Sequence, residues 1–200
     1  MKDLFEHKAS DWDKNPIPAQ ISAGVGRALR EQVALSADQH VMDFGAGTGL
    51  ICAHVAPLVA RVYAVDVSPT MLAKLAAKPE LRDKVETRCQ DILKTPLDVP
   101  VDVIVSAMAL HHIEDIPRLL QVFAAHLKPG GRIALADLDT EDGSFHPPGT
   151  EGVHHHGFDR ELVRSLLEQT GFSGVSFTTA LEVERDGRRY PVFLLTATRD

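Results

Sequence analysis

The feature that most constrains the fold is a short apolar stretch that runs directly into three glycines at alternate positions. Residues 41–44 are Val-Met-Asp-Phe, and glycine follows at positions 45, 47 and 49. The apolar residues predict a buried strand. The glycines predict a sharp turn into a helix, because glycine adopts positive φ without steric cost. Since a ligand can approach bare backbone N–H groups at such a turn, the run predicts a nucleotide-cofactor site.

The spacing of the glycines separates two kinds of nucleotide cofactor. The dinucleotide fingerprint is G-x-G-x-x-G, but its last position here holds Leu50, and the third glycine is Gly49. Asp43 adds a carboxylate two residues before the first glycine. This carboxylate would repel a pyrophosphate and attract an ammonium group. A nicotinamide-dependent oxidoreductase is therefore the weaker alternative.

The next two predicted strands also end in acids. Residues 61–67 form an apolar run that contains Asp66 near its end, and residues 84–92 form another that contains Asp91. An acid after the second strand of such a sheet can accept hydrogen bonds from both ribose hydroxyls. A lone aspartate at this place more often caps a helix. Three acids at three successive strand ends, however, indicate one common site.

The run of residues 43–49, followed by the two further acids, resembles the class I S-adenosylmethionine-dependent methyltransferases. The strand-four run at 101–113 and the Leu-x-Pro-Gly-Gly turn at 127–131 extend the resemblance over about residues 35–198. The resemblance implies S-adenosylmethionine as the cofactor and a small-molecule acceptor for its methyl group. A cofactor-binding module without catalysis is the alternative from another functional class.

The resemblance also implies which residues bind the cofactor. Asp66 is expected to bind the ribose, Asp91 the adenine amino group, and Asp43 with the glycine loop the methionine part. The full expected set is Asp43, Gly45, Ala46, Gly47, Thr48, Gly49, Asp66, Val67, Met71, Asp91, Ile92 and Ala107.

Methyl transfer from a sulfonium depends mainly on positioning and exclusion of water. A base is needed only if the acceptor must lose a proton. His111 and His112 follow the fourth strand, at the edge where parallel sheets bind ligands. His111 is the predicted base, and the alternative is that the pair packs or caps the next helix. The histidines at 154–156 lack metal-ligand spacing, so no metal site is predicted.

Alternating strand and helix patterns predict an α/β fold with a doubly wound, mostly parallel seven-stranded sheet. An Asp-Gly turn at 186–187 predicts a C-terminal antiparallel hairpin, and the arginines at 185, 188 and 189 are interpreted as a solvated turn. The expected elements are strands at 40–44, 61–66, 84–90, 101–106, 131–137, 174–184 and 190–198, and helices at 49–58, 69–77, 115–126 and 159–170.

Residues 1–35 are expected to form a helical leader and residues 36–200 the methyltransferase domain. The leader begins with a short amphipathic segment at 5–13, and a helix at 19–35 follows two prolines. In similar methyltransferases such a leader lies over the cofactor mouth. Trp12 is interpreted either as a core anchor or as a ring over cofactor or substrate. Residues 1–18 of the leader, the loop after strand four and the 138–158 loop are expected to wall the acceptor pocket.

Composition and net charge restrict the kinds of partner and compartment that we expect for this chain. The net charge is −7 and the isoelectric point is near 5.8, so nucleic acid is not expected as a partner. Cys52 and Cys89 are expected to be small buried residues in a reducing compartment. No signal peptide and no apolar run long enough to span a bilayer are visible. The prediction is a cytoplasmic monomer or homodimer without a membrane partner.

Overall fold

The computed structural model describes Asp3, Glu6 and residues 11–200, and this part of the chain contains one seven-stranded sheet. The strands are β1 His40–Phe44, β2 Arg61–Asp66, β3 Val85–Cys89, β4 Val101–Ala107, β5 Leu127–Leu138, β6 Phe172–Arg185 and β7 Arg188–Arg199. Their order is β3-β2-β1-β4-β5-β7-β6. Strands β1 to β5 are parallel, and β7 is antiparallel to both neighbours. The predicted fold class is confirmed.

Helices cover both faces of this sheet. They are α1 Pro16–Gln32, α2 Cys52–Val55, α3 Pro69–Ala76, α4 Ile116–His126 and α5 Arg160–Gln169, and short 3-10 turns lie at Trp12–Lys14, Ala56–Leu58, Pro79–Leu81 and Leu110–His112. Most of the amphipathic segment expected at 5–13 lies outside the described residues.

Helix α1 begins earlier than the sequence suggests. Asn15 is its N-cap, and the Asn15 side chain accepts a hydrogen bond of 3.1 Å from the Ile17 backbone N–H. Pro16 and Pro18 therefore lie in the first turn, where a missing N–H leaves no helical hydrogen bond unmade. The prolines start the helix rather than interrupt the chain before it.

The helix expected at 49–58 is much shorter than predicted. The chain remains in turns until Cys52, forms four residues of α2, and then continues as a 3-10 turn that contains Pro57. Proline cannot donate the hydrogen bond that would continue an α-helix.

Two apolar clusters, one on each face, hold the sheet. In β1, Val41 belongs to the cluster shared with α1 and α2, whereas Met42 belongs to the cluster shared with α4 and α5. The alternation follows from the pleat, which points successive side chains to opposite faces. Because both faces are covered, the carboxyl ends of β1, β2 and β4 form an accessible edge.

The two cysteines differ in environment. Cys52 is buried as expected, but Cys89 is exposed, so that expectation is wrong for Cys89. Cys89 is the last residue of β3, which forms one edge of the sheet. Among the described residues, none of the helices combines the length and the apolar character that crossing a membrane requires.

Candidate active site

A cavity of about 400 Å³ opens at the carboxyl ends of β1, β2 and β4. This is the edge at which open parallel sheets bind ligands, and the volume falls in the range of small-molecule sites. All the residues expected to bind the cofactor line it, except Asp43 and Gly49, and so does His111.

The cavity has two parts, which we name by the ligands that the sequence predicts for them. The cofactor half is lined from residues 44–51, 65–71 and 90–92, and the acceptor half is lined from residues 12–22, 107–113 and 145–147 and by Arg185.

The glycine loop brings backbone close to the loop that follows β4. Gly45 has φ +69°, and a Cβ atom at this position would lie 2.4 Å from the Cβ of Ala109. Glycine is therefore required at position 45 for two reasons: the backbone is left-handed there, and it comes too close to Ala109 for a side chain. The N–H of Gly47, at the tip of the loop, donates a hydrogen bond of 2.8 Å to Oδ2 of Asp66. The loop and the end of β2 form one unit.

Asp66 is partly buried at the end of β2 and accepts a second hydrogen bond, of 2.8 Å, from the Ser68 N–H to Oδ1. Burial raises the pKa of Asp66, and the Ser68 and Gly47 N–H groups act in the opposite direction. Because each carboxylate oxygen can accept two hydrogen bonds, both retain capacity for a diol. Ser68 also caps α3 by accepting from the Met71 N–H at 3.1 Å, so helix capping and the site coexist here.

Asp91 follows β3 and lies at the rim of the cofactor half. Its Oδ1 accepts from the Leu93 N–H at 3.0 Å, and its Oδ2 pairs with Lys94 Nζ at 2.8 Å. Between Asp66 and Asp91 the wall is apolar, with Val67, Met71 and Ile92. Val67 is 47% exposed, so its apolar surface is available to a flat ring.

Asp43 does not occupy the position that the sequence suggests. It is buried behind the glycine loop, where the Cys52 thiol donates to its Oδ2 at 3.0 Å. Burial raises the pKa of Asp43 to about 7, and the Cys52 hydrogen bond opposes the shift. Gly49 also packs behind the loop, against Leu75. The expected direct contact of Asp43 and Gly49 with the methionine part does not agree with these positions.

The loop after β4 begins with a strained residue. Met108 has φ +57°, although it is not a glycine, and its N–H donates to Ala136 O at 2.9 Å. Strained backbone of this kind is concentrated at functional sites. The turn delivers the 3-10 segment Leu110–His112 to the cavity wall.

His111 is buried and forms a dyad with Asp137, near the end of β5. Its Nδ1 lies 2.8 Å from Asp137 Oδ1, and three backbone N–H groups, those of Leu110, His111 and Leu138, donate to the same carboxylate. An ionised carboxylate only accepts, so Nδ1 carries the proton. Nε2 is then the ring nitrogen that can act on a ligand.

Two more histidines line the cavity beside His111. The ring centroids of His112 and His146 lie 4.2 and 5.0 Å from that of His111. His154 and His155 instead donate their backbone N–H groups to His111 O, at 2.9 and 3.3 Å. In the described part of the chain, no group of three His, Cys, Asp or Glu side chains could hold a metal ion.

The start of the described leader is attached to the glycine loop. Asp13 accepts a hydrogen bond of 2.5 Å from Thr48 Oγ1 and pairs with Lys78 Nζ at 2.7 Å. The adjacent Trp12 lines the cavity and is partly exposed. Of its two interpretations, the position over the cavity therefore fits better than a core anchor.

Two ionisable residues with a part in the site, Asp137 and Arg185, are not among those predicted. Asp137 has a signal in the sequence, since it is an acid that directly follows the apolar residues 133–136 of β5. Arg185 carried none, and the interpretation of its turn as merely solvated is wrong for this residue. Arg185 lines the cavity, whereas Arg189 is an exposed residue that pairs with Glu182.

The cofactor half fits S-adenosylmethionine on its own geometry. Asp66 offers acceptors for a ribose diol, and the apolar wall beside Asp91 suits an adenine ring. A Cβ atom at Gly47 would meet no neighbour within 4 Å, so the tip of the loop presents open space in which a ligand can lie against backbone.

Comparison with known proteins also indicates a methyltransferase. A family model described as a methyltransferase domain matches residues 42–135. An uncharacterized methyltransferase of Geobacillus kaustophilus is 30% identical over 192 residues, which cover 86% of this chain and 88% of that protein. An uncharacterized methyltransferase of Schizosaccharomyces pombe is 31% identical over 150 residues. That match covers 66% of this chain, which spans only 53% of the yeast protein.

Among solved structures, the complex of DhpI with SAH shares the fold. The TM-score is 0.75 at 23% identity, with 98% of this chain and 94% of that chain covered. The fold, the cofactor half and the sequence relatives agree, and the chain belongs to the class I S-adenosylmethionine-dependent methyltransferases.

Proposed function

We propose that the chain transfers a methyl group from S-adenosylmethionine to a small-molecule acceptor that binds in the acceptor half of the cavity. The observation that carries this proposal is the continuity of the two halves in one cavity. The strand-end residues can hold the cofactor, and the histidine side of the cavity faces the same space. A cofactor and a second small molecule can therefore meet there.

The size and charge of the site support a small acceptor. The walls of the acceptor half come from the leader and two loops, which surround a cavity of about 400 Å³ in total. A nucleic acid acceptor would need a basic footprint, whereas the chain carries a net charge of −7.

When bound, S-adenosylmethionine supplies a methyl group that is already activated on a sulfonium. In this proposal Asp66 binds the ribose, and Asp91 and Ile92 bind the adenine. The loop from Gly45 to Thr48 lies against the methionine part. The residues that line the cavity orient the two molecules and exclude water, which can supply most of the rate enhancement.

His111 is the proposed base for an acceptor that must lose a proton. Asp137 binds Nδ1–H and so fixes both the ring and its tautomer, which leaves Nε2 to accept the proton. Asp137 is therefore a positioning residue. In the alternative interpretation, the same dyad only fastens the loop after β4 to β5.

The first test is binding of S-adenosylhomocysteine, measured by calorimetry. Asp66→Ala should weaken binding by about 1–3 kcal/mol, the value of a charged hydrogen-bond acceptor, or about 5- to 150-fold. Asp98→Ala, at an exposed aspartate outside the cavity, is the matched control and should bind like the wild type. Unchanged affinity in Asp66→Ala would remove this residue from the site.

The second test is transfer of labelled methyl to a panel of metabolites. Transfer that depends on Asp66 supports the enzyme. Binding of the cofactor with no transfer to any member of a broad panel would favour a cofactor-binding module, and binding of NAD in place of S-adenosylhomocysteine would overturn the proposal.

A further inference from the structure

We propose that the acceptor carries an anionic group, a carboxylate or a phosphate-type oxyanion, and that Arg185 binds it. This inference rests on the proposed function and specifies the chemical class of its substrate. The observations that carry it are the position of Arg185, the distribution of charge around the cavity, and the wall that joins Arg185 to His111.

Arg185 reaches the cavity from the end of β6. Its Nη1 donates to Phe145 O, and its guanidinium carbon lies 5.9 Å from the centroid of the Phe145 ring. Asp186, 3.6 Å from Nε, is 88% exposed at its side chain, so this pair is weak. A guanidinium has five N–H donors in a fork that matches an oxyanion. Most of them therefore stay available to a ligand.

Charge is divided between the two halves of the cavity. Among the lining residues that the structure describes, the carboxylates are Asp66 and Asp91, both in the cofactor half, and Arg185 is the lysine- or arginine-type cation. In the described part of the chain, the side chains that line the acceptor half therefore include the Arg185 cation and no carboxylate. An ammonium group buried there would lack a counter-ion, which is costly, whereas an anionic group would be paired.

A continuous wall of rings connects Arg185 to the proposed base. The guanidinium lies over Phe145, the Phe145 and His146 ring centroids are 5.0 Å apart, and those of His146 and His111 are also 5.0 Å apart. A small molecule whose anion binds Arg185 can lie along these rings. Its other end then approaches His111 and the cofactor half.

Anchoring of the loop does not by itself account for Arg185. Other contacts already hold residues 139–144. Arg160 forms two hydrogen bonds of 2.7 Å with Asp139, Arg188 pairs with Asp142 at 2.6 Å, and the Tyr190 hydroxyl lies 2.8 Å from Ser144 Oγ. Arg185 adds its own contacts with Phe145 and places a cation at the cavity wall.

The test uses calorimetry of the full chain at pH 7 with saturating S-adenosylhomocysteine. Benzoate and phenylphosphonate are the anionic probes, and benzamide is the neutral analogue. At least one anion should bind at least tenfold more tightly than benzamide. Arg185→Gln should remove this preference, and Arg185→Lys, which keeps the charge without the fork, should retain part of it. Arg189→Gln, at an exposed arginine of the same hairpin, is the matched control and should bind like the wild type.

Three results would overturn the inference: equal binding of benzamide, unchanged anion binding in Arg185→Gln, or no binding by either anion. S-adenosylhomocysteine affinity should be the same in the wild type and both Arg185 variants. If the wild type does not bind S-adenosylhomocysteine, the proposed function fails. If it binds the cofactor product and no anion, only the inference about the acceptor fails. If Arg185→Gln does not fold, Arg185→Lys is compared with the wild type instead. A preference for the anions over benzamide that is undiminished in Arg185→Lys would then contradict recognition by the guanidinium fork of Arg185.

Discussion

The two halves of the cavity are built in different ways. The cofactor half lies on the ends of neighbouring parallel strands, carries two carboxylates, and is closed by backbone-to-carboxylate hydrogen bonds such as Gly47 to Asp66. The acceptor half is assembled from four separate segments, with histidine and other aromatic rings and Arg185. The sheet fixes one half, and side-chain contacts between loops fix the other.

This difference predicts that substitutions divide by location. Changes in the acceptor half should alter turnover while cofactor affinity remains. Changes behind the cofactor half should alter the stability of the fold. A variant that affects both properties equally would show that the two halves are not separate.

The largest effect is expected at the proposed base. For an acceptor that must lose a proton, His111→Ala should lower kcat by about 10²–10⁴, the usual contribution of a general base, with little change in S-adenosylhomocysteine affinity. His154→Ala is the control, because its exposed side chain is lost while its backbone bond to His111 remains. Nearly full turnover in His111→Ala, together with a lower melting temperature, would assign the dyad to structure.

The next effect concerns stability behind the cofactor half. The pKa of Asp43 is raised to about 7 by burial, so the folded state holds a proton that the unfolded chain loses above about pH 4. Its contribution to stability is complete below that pH and is lost as pH rises toward 7. Between pH 5 and pH 7 the loss amounts to about 2–3 kcal/mol.

Denaturant unfolding of Asp43→Asn at several pH values measures this contribution. The variant cannot titrate at this position, so it should not lose this stability. Its free energy of unfolding should therefore increase relative to that of the wild type as pH rises. The exposed Asp98→Asn should show no such trend. Parallel pH profiles for Asp43→Asn and the wild type would contradict the prediction.

A smaller effect on turnover is expected at the positioning residue. Asp137→Asn removes a charged acceptor from His111 Nδ1 while keeping the size of the side chain. We expect kcat to fall by about 10- to 50-fold, in line with one charge-assisted hydrogen bond, with KM and cofactor affinity nearly constant. Steady-state kinetics separates the two parameters, and a rise in KM at constant kcat would show that Asp137 acts on binding instead.

The smallest effect is expected in the glycine loop, where Gly45 of the cofactor half meets Ala109 of the acceptor half. Gly45→Ala places a Cβ atom against Ala109 at a positive φ, whereas Gly130→Ala meets the same strain of φ, at +72°, with no neighbour within 4 Å. Gly45→Ala should therefore lower the free energy of unfolding by about 1–2 kcal/mol more than Gly130→Ala. Equal losses of unfolding free energy in the two variants would mean that the glycine loop and the loop after β4 move apart easily.

The cofactor half was largely predictable from sequence because its residues follow apolar runs directly. Asp66 and Asp91 needed only the rule that parallel strands end at one edge. Asp43 was expected to contact the methionine part directly, but its burial beside Cys52 follows from the pleat. Val41 faces α2, so Asp43, two residues later, faces the same way and meets Cys52.

The acceptor half was predictable only in outline. The segments expected to wall it do contribute to it, but the contact between Arg185 and Phe145 joins residues that are 40 positions apart, one of them in an irregular loop. No local periodicity encodes such a contact. The start of α1 was predicted too late for a different reason. Prolines break a helix interior, but they are favourable in its first turn.

Asp13 bridges the leader, the glycine loop and the residues after α3 through Thr48 and Lys78. Whatever stabilises that loop also stabilises the docked leader, and a coupling free energy acts equally in both directions. The leader is therefore expected to contribute to the equilibrium of cofactor binding, although it lies outside the sheet.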